Sequence, residues 1–266
     1  MHRFRMSSVR AGRAWRGPAS LLAIATWCAP VVGGHAQVAP PASPPAASAP
    51  APLVLPGDST VRGSRIAAGT VRYALTAYRD ADEIPVGRLA DEIRIDTVPG
   101  AVLLRRVQRL QRGTMELIDS TRTDFATLAP RWHRSLQATR RAVLEFGGRR
   151  VKGSVGPNDV PPVPIDTTLP VPVFDSGNWD LLVRALPLEK GFTARFPVYD
   201  PDAGLREYHV AVTGSTTVQG EEAYVVLFTL GKGRESVVWI GKQSHDLLQM
   251  ETMLGPTALL RQVRVR

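Results

Sequence analysis

Apolar and polar residues alternate along most of the chain from residue 64 onward, which is the pattern of strands with one buried face. In the first such segment, Val71, Tyr73 and Leu75 alternate with polar residues such as Arg72. The same period of two predicts strands over residues 91–98, 101–111, 115–123, 132–138, 141–146, 150–155, 192–199, 206–218, 223–230, 236–240, 247–254 and 259–265. Short turns rich in Gly, Pro and Asp separate them, so consecutive strands should pair as antiparallel hairpins.

One stretch, residues 174–187, has the period of a helix instead. Its apolar stripe, spaced i, i+3, i+4, i+7, consists of Trp179, Leu182, Val183 and Leu186. This spacing predicts an amphipathic helix with one buried face. Ser176 or Asn178 would cap its first turn, and Pro187 would end it.

The passage before this helix, residues 156–173, contains six prolines. Proline forbids regular strand pairing, which predicts a loop across the open side of the sheet, with a domain boundary as the alternative. About a dozen strands are more than a flat sheet carries without curling. The predicted fold class is therefore mainly β (α+β): a strongly curved antiparallel sheet, or half-barrel, wrapped on one or two helices.

The N-terminal part of the chain has the layout of a secretory signal peptide over residues 1–36. A basic, arginine-rich start is followed by an apolar run over residues 21–32 and by the small residue Ala36. Retention as a membrane anchor and lipidation at Cys28 are the alternatives. Residues 37–63 are rich in Pro and Ala and predict a disordered linker, which leaves residues 64–266 as a single curved-sheet domain. The expected localisation is the periplasm or cell envelope.

The formal net charge of the chain is +9, and the basic residues are concentrated in residues 101–155, which hold twelve Arg or Lys against four acids. One hypothesis is contact with an anionic membrane surface through Arg105, Arg109, Arg140 and Arg150. The alternative is a set of solvated strand faces that use arginine. Nucleic acid is a poor partner for an exported protein, and no aromatic residues interleave with these arginines as a single-strand platform requires.

No catalytic constellation or cofactor site is evident from the sequence. After residue 36 the histidines are His133, His209 and His245, too far apart in sequence to suggest a metal site. Ser176 lies in Asp-Ser-Gly, which lacks the first glycine of a nucleophile elbow, so helix capping explains it better. If residues 1–36 are removed, no cysteine remains. The sequence therefore favours a protein that is not an enzyme.

Aromatic and aliphatic residues in the C-terminal half are candidates for lining a cavity between the helix and the concave sheet. They are Trp179, Leu182, Leu186, Phe196, Tyr224, Phe228 and Trp239. The alternative is that these residues simply form the core.

Three segments of the sequence carry a resemblance to a known family. They are Phe-Asp-Ser-Gly-Asn-Trp-Asp-Leu-Leu-Val-Arg-Ala-Leu-Pro-Leu from Phe174, Gly-Phe-Thr-Ala-Arg-Phe-Pro-Val-Tyr from Gly191, and Val-Trp-Ile-Gly-Lys from Val238 followed by Leu-Leu-Gln-Met-Glu from Leu247. Over roughly residues 65–266, the chain resembles an uncharacterised family of exported bacterial domains related to the outer-membrane lipoprotein carrier and receptor (LolA/LolB-like) proteins. The resemblance implies a curved antiparallel sheet wrapped on a helix, with an apolar concavity that in the carriers accommodates acyl chains.

These observations leave three functional hypotheses. The first is a cell-envelope module that holds a lipid, acyl chain or other hydrophobic ligand in the concavity. The second is a structural or interaction domain of an envelope assembly, with a core filled by its own side chains. An exported hydrolase is the third, although no nucleophile has an evident base.

Overall fold

The structure is a computed structural model that describes residues 50–79, 82–231 and 235–265 of the 266-residue chain. The predicted signal peptide with Cys28, and residues 37–49 of the predicted linker, lie outside the described residues. The described part is mostly strand, with one short α-helix. The predicted mainly β fold class is confirmed.

Within the described residues, fifteen strands form a single sheet. The first eight are β1 Gly69–Arg79, β2 Asp82–Val98, β3 Ala101–Arg112, β4 Met115–Asp124, β5 Pro130–Leu136, β6 Arg140–Gly147, β7 Arg150–Pro157 and β8 Val163–Thr168. The remaining seven are β9 Phe174–Asp175, β10 Thr193–Asp200, β11 Gly204–Val218, β12 Glu221–Thr229, β13 Glu235–Gly241, β14 Leu247–Met253 and β15 Ala258–Val265. The predicted segments therefore correspond to real strands, which the structure extends by a few residues at most ends and by nine at the start of β2.

The order across the sheet is β8-β7-β6-β5-β4-β3-β2-β1-β15-β14-β13-β12-β11-β10-β9. Two antiparallel meanders, β1–β8 and β10–β15, are joined where β1 pairs with β15. The two-residue β9 runs parallel to β10. Although β5 and β9 are far apart in this order, His133 on β5 lies 2.9 Å from Asp175 on β9. The sheet must therefore curl strongly to bring these side chains together.

The proline-rich passage at residues 156–173 differs from the prediction of a loop, because part of it forms β8. This strand pairs antiparallel with β7, and Pro164 lies opposite Ser154. A proline lacks an N–H group, but at the edge of a sheet one side of the strand has no partner to bond. The edge position of β8 explains how a proline-containing segment joins the sheet.

The helix α1 spans Trp179–Ala185 and follows a 3-10 turn at Ser176–Asn178, so it is shorter than the predicted 174–187. Every residue from Asp180 to Ala185 is buried. The predicted single buried face underestimates the burial of the helix, because the curved sheet surrounds this short helix. Asp180 and Arg184, which lie off the apolar stripe, are consequently buried as well.

The predicted capping residue is also corrected. The side chain of Asp175 accepts a hydrogen bond of 3.0 Å from the N–H of Gly177 and caps the 3-10 turn. Asn178 occupies the N-cap position of α1 but makes no side-chain capping bond. Its Oδ1 atom instead accepts a 3.0 Å hydrogen bond from the hydroxyl of Thr121, because the turn lies directly against β4.

A segment before β1, residues 51–66, packs on the domain, and we call it the N-terminal strap. Val54, Val61 and Ile66 are buried in the main core, and Leu53 forms a parallel bridge with Arg195 on β10. The prediction of a disordered linker is therefore wrong for this part of residues 37–63. The alternation of Pro and Ala dominated the sequence pattern, whereas three isolated apolar residues suffice to anchor the strap.

Candidate functional site

The inner face of β10–β15 is a mainly apolar surface, and α1 and the N-terminal strap cover it. In register across the strands, Phe196 faces Tyr208, and Val210 faces Phe228. Tyr224 continues the surface along β12, and Ile240 lies opposite it on β13. These residues and the apolar side chains of α1 belong to one core cluster.

Six of the seven predicted cavity-lining residues lie in this cluster. Leu182, Leu186, Phe196 and Phe228 are at most 1% exposed, whereas Trp179 and Tyr224 are half-buried at its margin. The rings of Trp179 and Phe228 are stacked with centroids 4.3 Å apart. Phe228 also packs edge-on against Tyr208, with centroids 5.3 Å apart. The protein's own side chains thus fill the concavity in this conformation.

Trp239 does not join the other six. It pairs across the strands with Val225 and Gln249, whereas its neighbours Val238 and Ile240 point into the core. Because side chains alternate along a strand, Trp239 lies on the outer face. Its assignment as a cavity-lining residue is corrected.

The inner face of β2–β5 carries a buried polar network beside apolar residues such as Ile93 and Leu104, and the centre of this network is Arg106. This guanidinium is 2% exposed and binds two carboxylates with two hydrogen bonds each, Asp91 at 2.8 and 2.6 Å and Asp180 at 2.7 and 2.6 Å. Burial alone would lower the pKa of Arg106, but the charges of Asp180 and Asp91 outweigh this effect and raise it. The network ties the first turn of α1 to β2 and β3.

His133 forms a second buried polar contact beside this network. Its Nδ1 atom lies 2.9 Å from Asp175, and its Nε2 atom lies 3.8 Å from Asp119. Burial would lower the pKa of His133, but the charge of Asp175, its hydrogen bond to the ring and the nearby Asp119 raise it to about 10. The imidazole is therefore protonated at neutral pH and links β5 to β9.

This protonation predicts that alkaline pH destabilises the protein. A histidine whose pKa is raised on folding contributes stability that is fully present below about pH 6.5, its unfolded value, and is lost towards about pH 10. The melting temperature should fall over this range in the wild type and much less in His133→Gln. His209→Gln, at an exposed histidine 3.2 Å from Glu207, is the control and should keep the wild-type slope. An unchanged slope in His133→Gln would contradict the assignment.

The C-terminal end of α1 is held by other charges. Arg184 is 2% exposed and donates hydrogen bonds of 2.8 Å to the carbonyl of His245 and 2.9 Å to Asp246. Arg65 of the N-terminal strap donates to the carbonyls of Ala185 and Leu186. Polar contacts thus fix both ends of a helix whose middle is apolar.

The four arginines predicted to contact a membrane are each paired with a carboxylate. Arg105 lies 3.3 Å from Asp96, and Arg109 lies 3.6 Å from Glu92. Arg150 makes two hydrogen bonds to Asp166, at 2.9 and 2.8 Å, and Arg140 pairs with Asp202. These four positions are therefore poor candidates for binding external anions.

Sequence reasoning missed the polar network because its members are far apart in the chain. The signal that could have revealed it is the alternation of side chains along a strand, by which residues two apart have the same parity and point to the same face. Arg106 has the same parity on β3 as Leu104, which is fully buried. A charged residue at an inward position requires a buried partner.

Within residues 50–79, 82–231 and 235–265, no group of three or more His, Cys, Asp or Glu residues could hold a metal ion. In the same part of the chain, no helix has the length and apolarity needed to span a membrane.

Three solved structures are similar to this chain at low identity. A β-barrel-like protein of the DUF1849 family from Brucella abortus is 11% identical, with a TM-score of 0.44, over 75% of this chain and 98% of that one. A LolA superfamily protein from Nitrosomonas europaea is 12% identical, with a TM-score of 0.20, over 78% and 88% of the two chains. A DUF1329 family protein from Desulfovibrio piger is 11% identical, with a TM-score of 0.23, over 76% and 86%. These values give no basis for transferring a ligand or partner to this chain.

A comparison with curated proteins finds no match. The family model described as "Protein of unknown function (DUF3108)" matches residues 72–261. This range starts in β1, ends in β15 and includes the polar network and the strand and helix residues of the apolar cluster from β1 onward. The resemblance to an uncharacterised family is confirmed, and the chain belongs to the DUF3108 family.

Proposed function

We propose that this chain is a non-enzymatic cell-envelope protein that binds a lipid, an acyl chain or another hydrophobic ligand in the sheet concavity. The ligand would contact Trp179, Leu182, Leu186, Phe196, Tyr224 and Phe228. The observation that carries the proposal is the cover over the inner face of β10–β15. This apolar surface is covered by α1 and the N-terminal strap, which are attached by buried side chains, ion pairs and a few backbone hydrogen bonds. The surface itself is built from continuous strand pairing.

The cover is the part of the fold that can move at the lowest cost. A helix of seven residues is too short to be stable by itself, so its position depends on its contacts. Moving the sheet would break whole ladders of hydrogen bonds at once. Moving α1 breaks the polar contacts at its two ends and exchanges its apolar contacts for those of a ligand. The half-buried Trp179 and Tyr224 mark the margin at which a ligand would enter.

The state of His133 supports a role without bond chemistry. A general base must have a free nitrogen that accepts a proton near neutral pH. His133 is protonated there and is held between Asp175 and Asp119. Ser176 lies in the capped 3-10 turn, and within the described residues its hydroxyl has no hydrogen bond to a base.

The proposed location in the envelope rests on the basic and apolar pattern of residues 1–36. Cleavage after this segment, retention as an anchor and lipidation at Cys28 all place the folded domain outside the cytoplasm. Any of them is compatible with a protein that exchanges a lipid with a membrane.

A structural domain with a self-filled core is the second candidate. The observation that favours it is the near-zero exposure of Leu186, Phe196 and Phe228. If the cover never opens, these residues only stabilise the fold, and the protein would act through its outer surface.

Ligand copurification decides between the two candidates. Native mass spectrometry of the full chain, purified from an envelope fraction without detergent, should show a bound species of lipid mass. Trp179→Ala removes the ring stacked on Phe228 and should weaken the binding of a fluorescent fatty acid about 5- to 10-fold, the equivalent of one aromatic contact of about 1 kcal/mol. Trp239→Ala is the matched control, because this tryptophan lies on the outer face. Ligand-free protein with no fatty-acid binding, even after the cover is loosened by Gly63→Ala, would leave the structural candidate.

A further inference from the structure

The outer face of β4, β5 and β6 combines unpaired arginines with apolar side chains. We call it the basic-aromatic face and define it by Arg122, Arg134, Arg141, Trp132 and Leu136. Strand register places Arg122 opposite Trp132 and Leu136 opposite Arg141, so all five point away from the core. We propose that this face docks on the surface of an anionic lipid bilayer.

The arginines of the face have no ion-pair partner within the described residues, unlike the four paired arginines described above, Arg105, Arg109, Arg140 and Arg150. Among the described residues, no carboxylate oxygen lies within 4.0 Å of the guanidinium nitrogens of Arg122, Arg134 or Arg141. The side chain of Arg122 lies over the ring of Trp132, 5.3 Å from its centroid, which leaves its charge unneutralised. All three are exposed. External phosphates can therefore bind without breaking an existing ion pair.

Apolar residues separate these charges. Arg134 has Trp132 and Leu136 two positions away on the same strand, and Val143 lies directly opposite it on β6. Ile118 on β4 lies opposite Leu136. Each of these four is only partly buried, although no strand or helix covers this side of the sheet in the described part of the chain.

This composition favours a bilayer over a soluble polyanion. Arginine binds lipid phosphates, and tryptophan prefers the level of the headgroups, where its ring is partly apolar and its N–H is wet. A soluble polyanion would gain nothing from Leu136, Ile118 or Val143. Glu145 is an acid in register with this face: it lies opposite Trp132 on β5 and opposite Lys152 on β7, and the lysine balances its charge.

The proposal does not depend on the proposed function. A ligand carrier and a self-filled structural domain could both dock through this face, since the core lies on the opposite side of the strands.

Vesicle cosedimentation tests the proposal. The folded full chain should partition onto phosphatidylcholine vesicles that contain about 30% phosphatidylglycerol at about 0.1 M salt, and not onto pure phosphatidylcholine. The variant Arg122→Gln/Arg134→Gln/Arg141→Gln should lower the partition coefficient on the order of 100-fold, the equivalent of about 1 kcal/mol for each arginine.

The matched control removes the same number of charges from paired positions on the same side of the sheet. The variant Arg105→Gln/Arg109→Gln/Arg150→Gln should lose no more than about 5-fold, because these side chains already bind Asp96, Glu92 and Asp166. Quenching by brominated lipid should fall in Trp132→Leu and persist in Trp239→Leu. Equal losses in the two triple variants, or binding to a soluble sulfated polysaccharide without binding to vesicles, would overturn the proposal.

Discussion

Arg106→Met should lower the free energy of unfolding by about 3–5 kcal/mol, because it leaves two buried carboxylates without their counter-charge. Asp91 is 2% and Asp180 5% exposed, so water cannot replace the four hydrogen bonds that Arg106 supplies. Both carboxylates would have to take up protons or move to the surface. Movement of Asp180 would detach the first turn of α1, since this residue lies in it.

Urea denaturation at neutral pH measures the effect. Two further variants serve as a control and as a rescue. Arg109 lies on the same strand, but its charge is on the outer face, where its pair with Glu92 is partly exposed. Arg109→Met should therefore cost less than about 1 kcal/mol. Replacing the network together, as Asp91→Asn/Arg106→Met/Asp180→Asn, removes the buried charges and should recover most of the loss. If Arg106→Met were as stable as Arg109→Met, the network would not hold the helix.

Gly63→Ala should release the N-terminal strap from the domain. Gly63 is buried, and its N–H donates a 3.0 Å hydrogen bond to the carbonyl of Ala126. A methyl group on its Cα would lie 1.5 Å from the carbonyl oxygen of Phe125. That oxygen cannot withdraw easily, because the N–H of Phe125 bonds to Val102 on β3 at 2.9 Å. We expect a loss of about 3 kcal/mol in strap docking, at the upper end for overpacking a rigid site.

The release is best measured by hydrogen exchange and limited proteolysis. The N–H of Val54 donates to the carbonyl of Arg195 at 2.8 Å, and the N–H of Arg195 donates to the carbonyl of Pro52 at 2.9 Å. In Gly63→Ala both amides should exchange faster, and residues 51–66 should become a cleavage site. The remaining strands should stay protected, since the strap contributes one isolated bridge to the sheet. Gly147→Ala is the control, because nothing lies within 4 Å of an added methyl group there and the residue does not need a positive φ. Unchanged protection of Val54 in Gly63→Ala would show that the strap tolerates the methyl group.

The two variants separate the two parts of the cover. Arg106→Met loosens the N-terminal end of α1, while Gly63→Ala loosens the strap that contacts the C-terminal end through Arg65. If a hydrophobic ligand enters past the strap, Gly63→Ala should raise the rate of fatty-acid uptake before any large loss of stability. If it enters beside Trp179, Arg106→Met should do so.

The sequence alone determined the strand architecture of this protein. Alternation along β3, β6 or β13 depends on neighbouring residues only, and short turns fix the antiparallel pairing of consecutive strands. The apolar stripe of α1 and its membership of the core were also readable, because i, i+3, i+4 spacing is a local property. Proline content misled the prediction at β8 and at the N-terminal strap, since it does not tell whether a segment lies at an edge of the sheet.

Only the tertiary structure decided which polar residues meet and which aromatic residues share a face. Asp91, Arg106 and Asp180 lie on two strands and a helix, and their contact depends on the curl that brings the turn before α1 onto β4 and β5. The pairing of Trp239 with Val225 places its side chain on the outer face of the sheet, so it does not line the cavity. Curvature and register across strands are collective properties of the whole sheet. For that reason the sequence indicated an apolar concavity around Trp179, and the structure revealed the buried charges that hold the helix in place there.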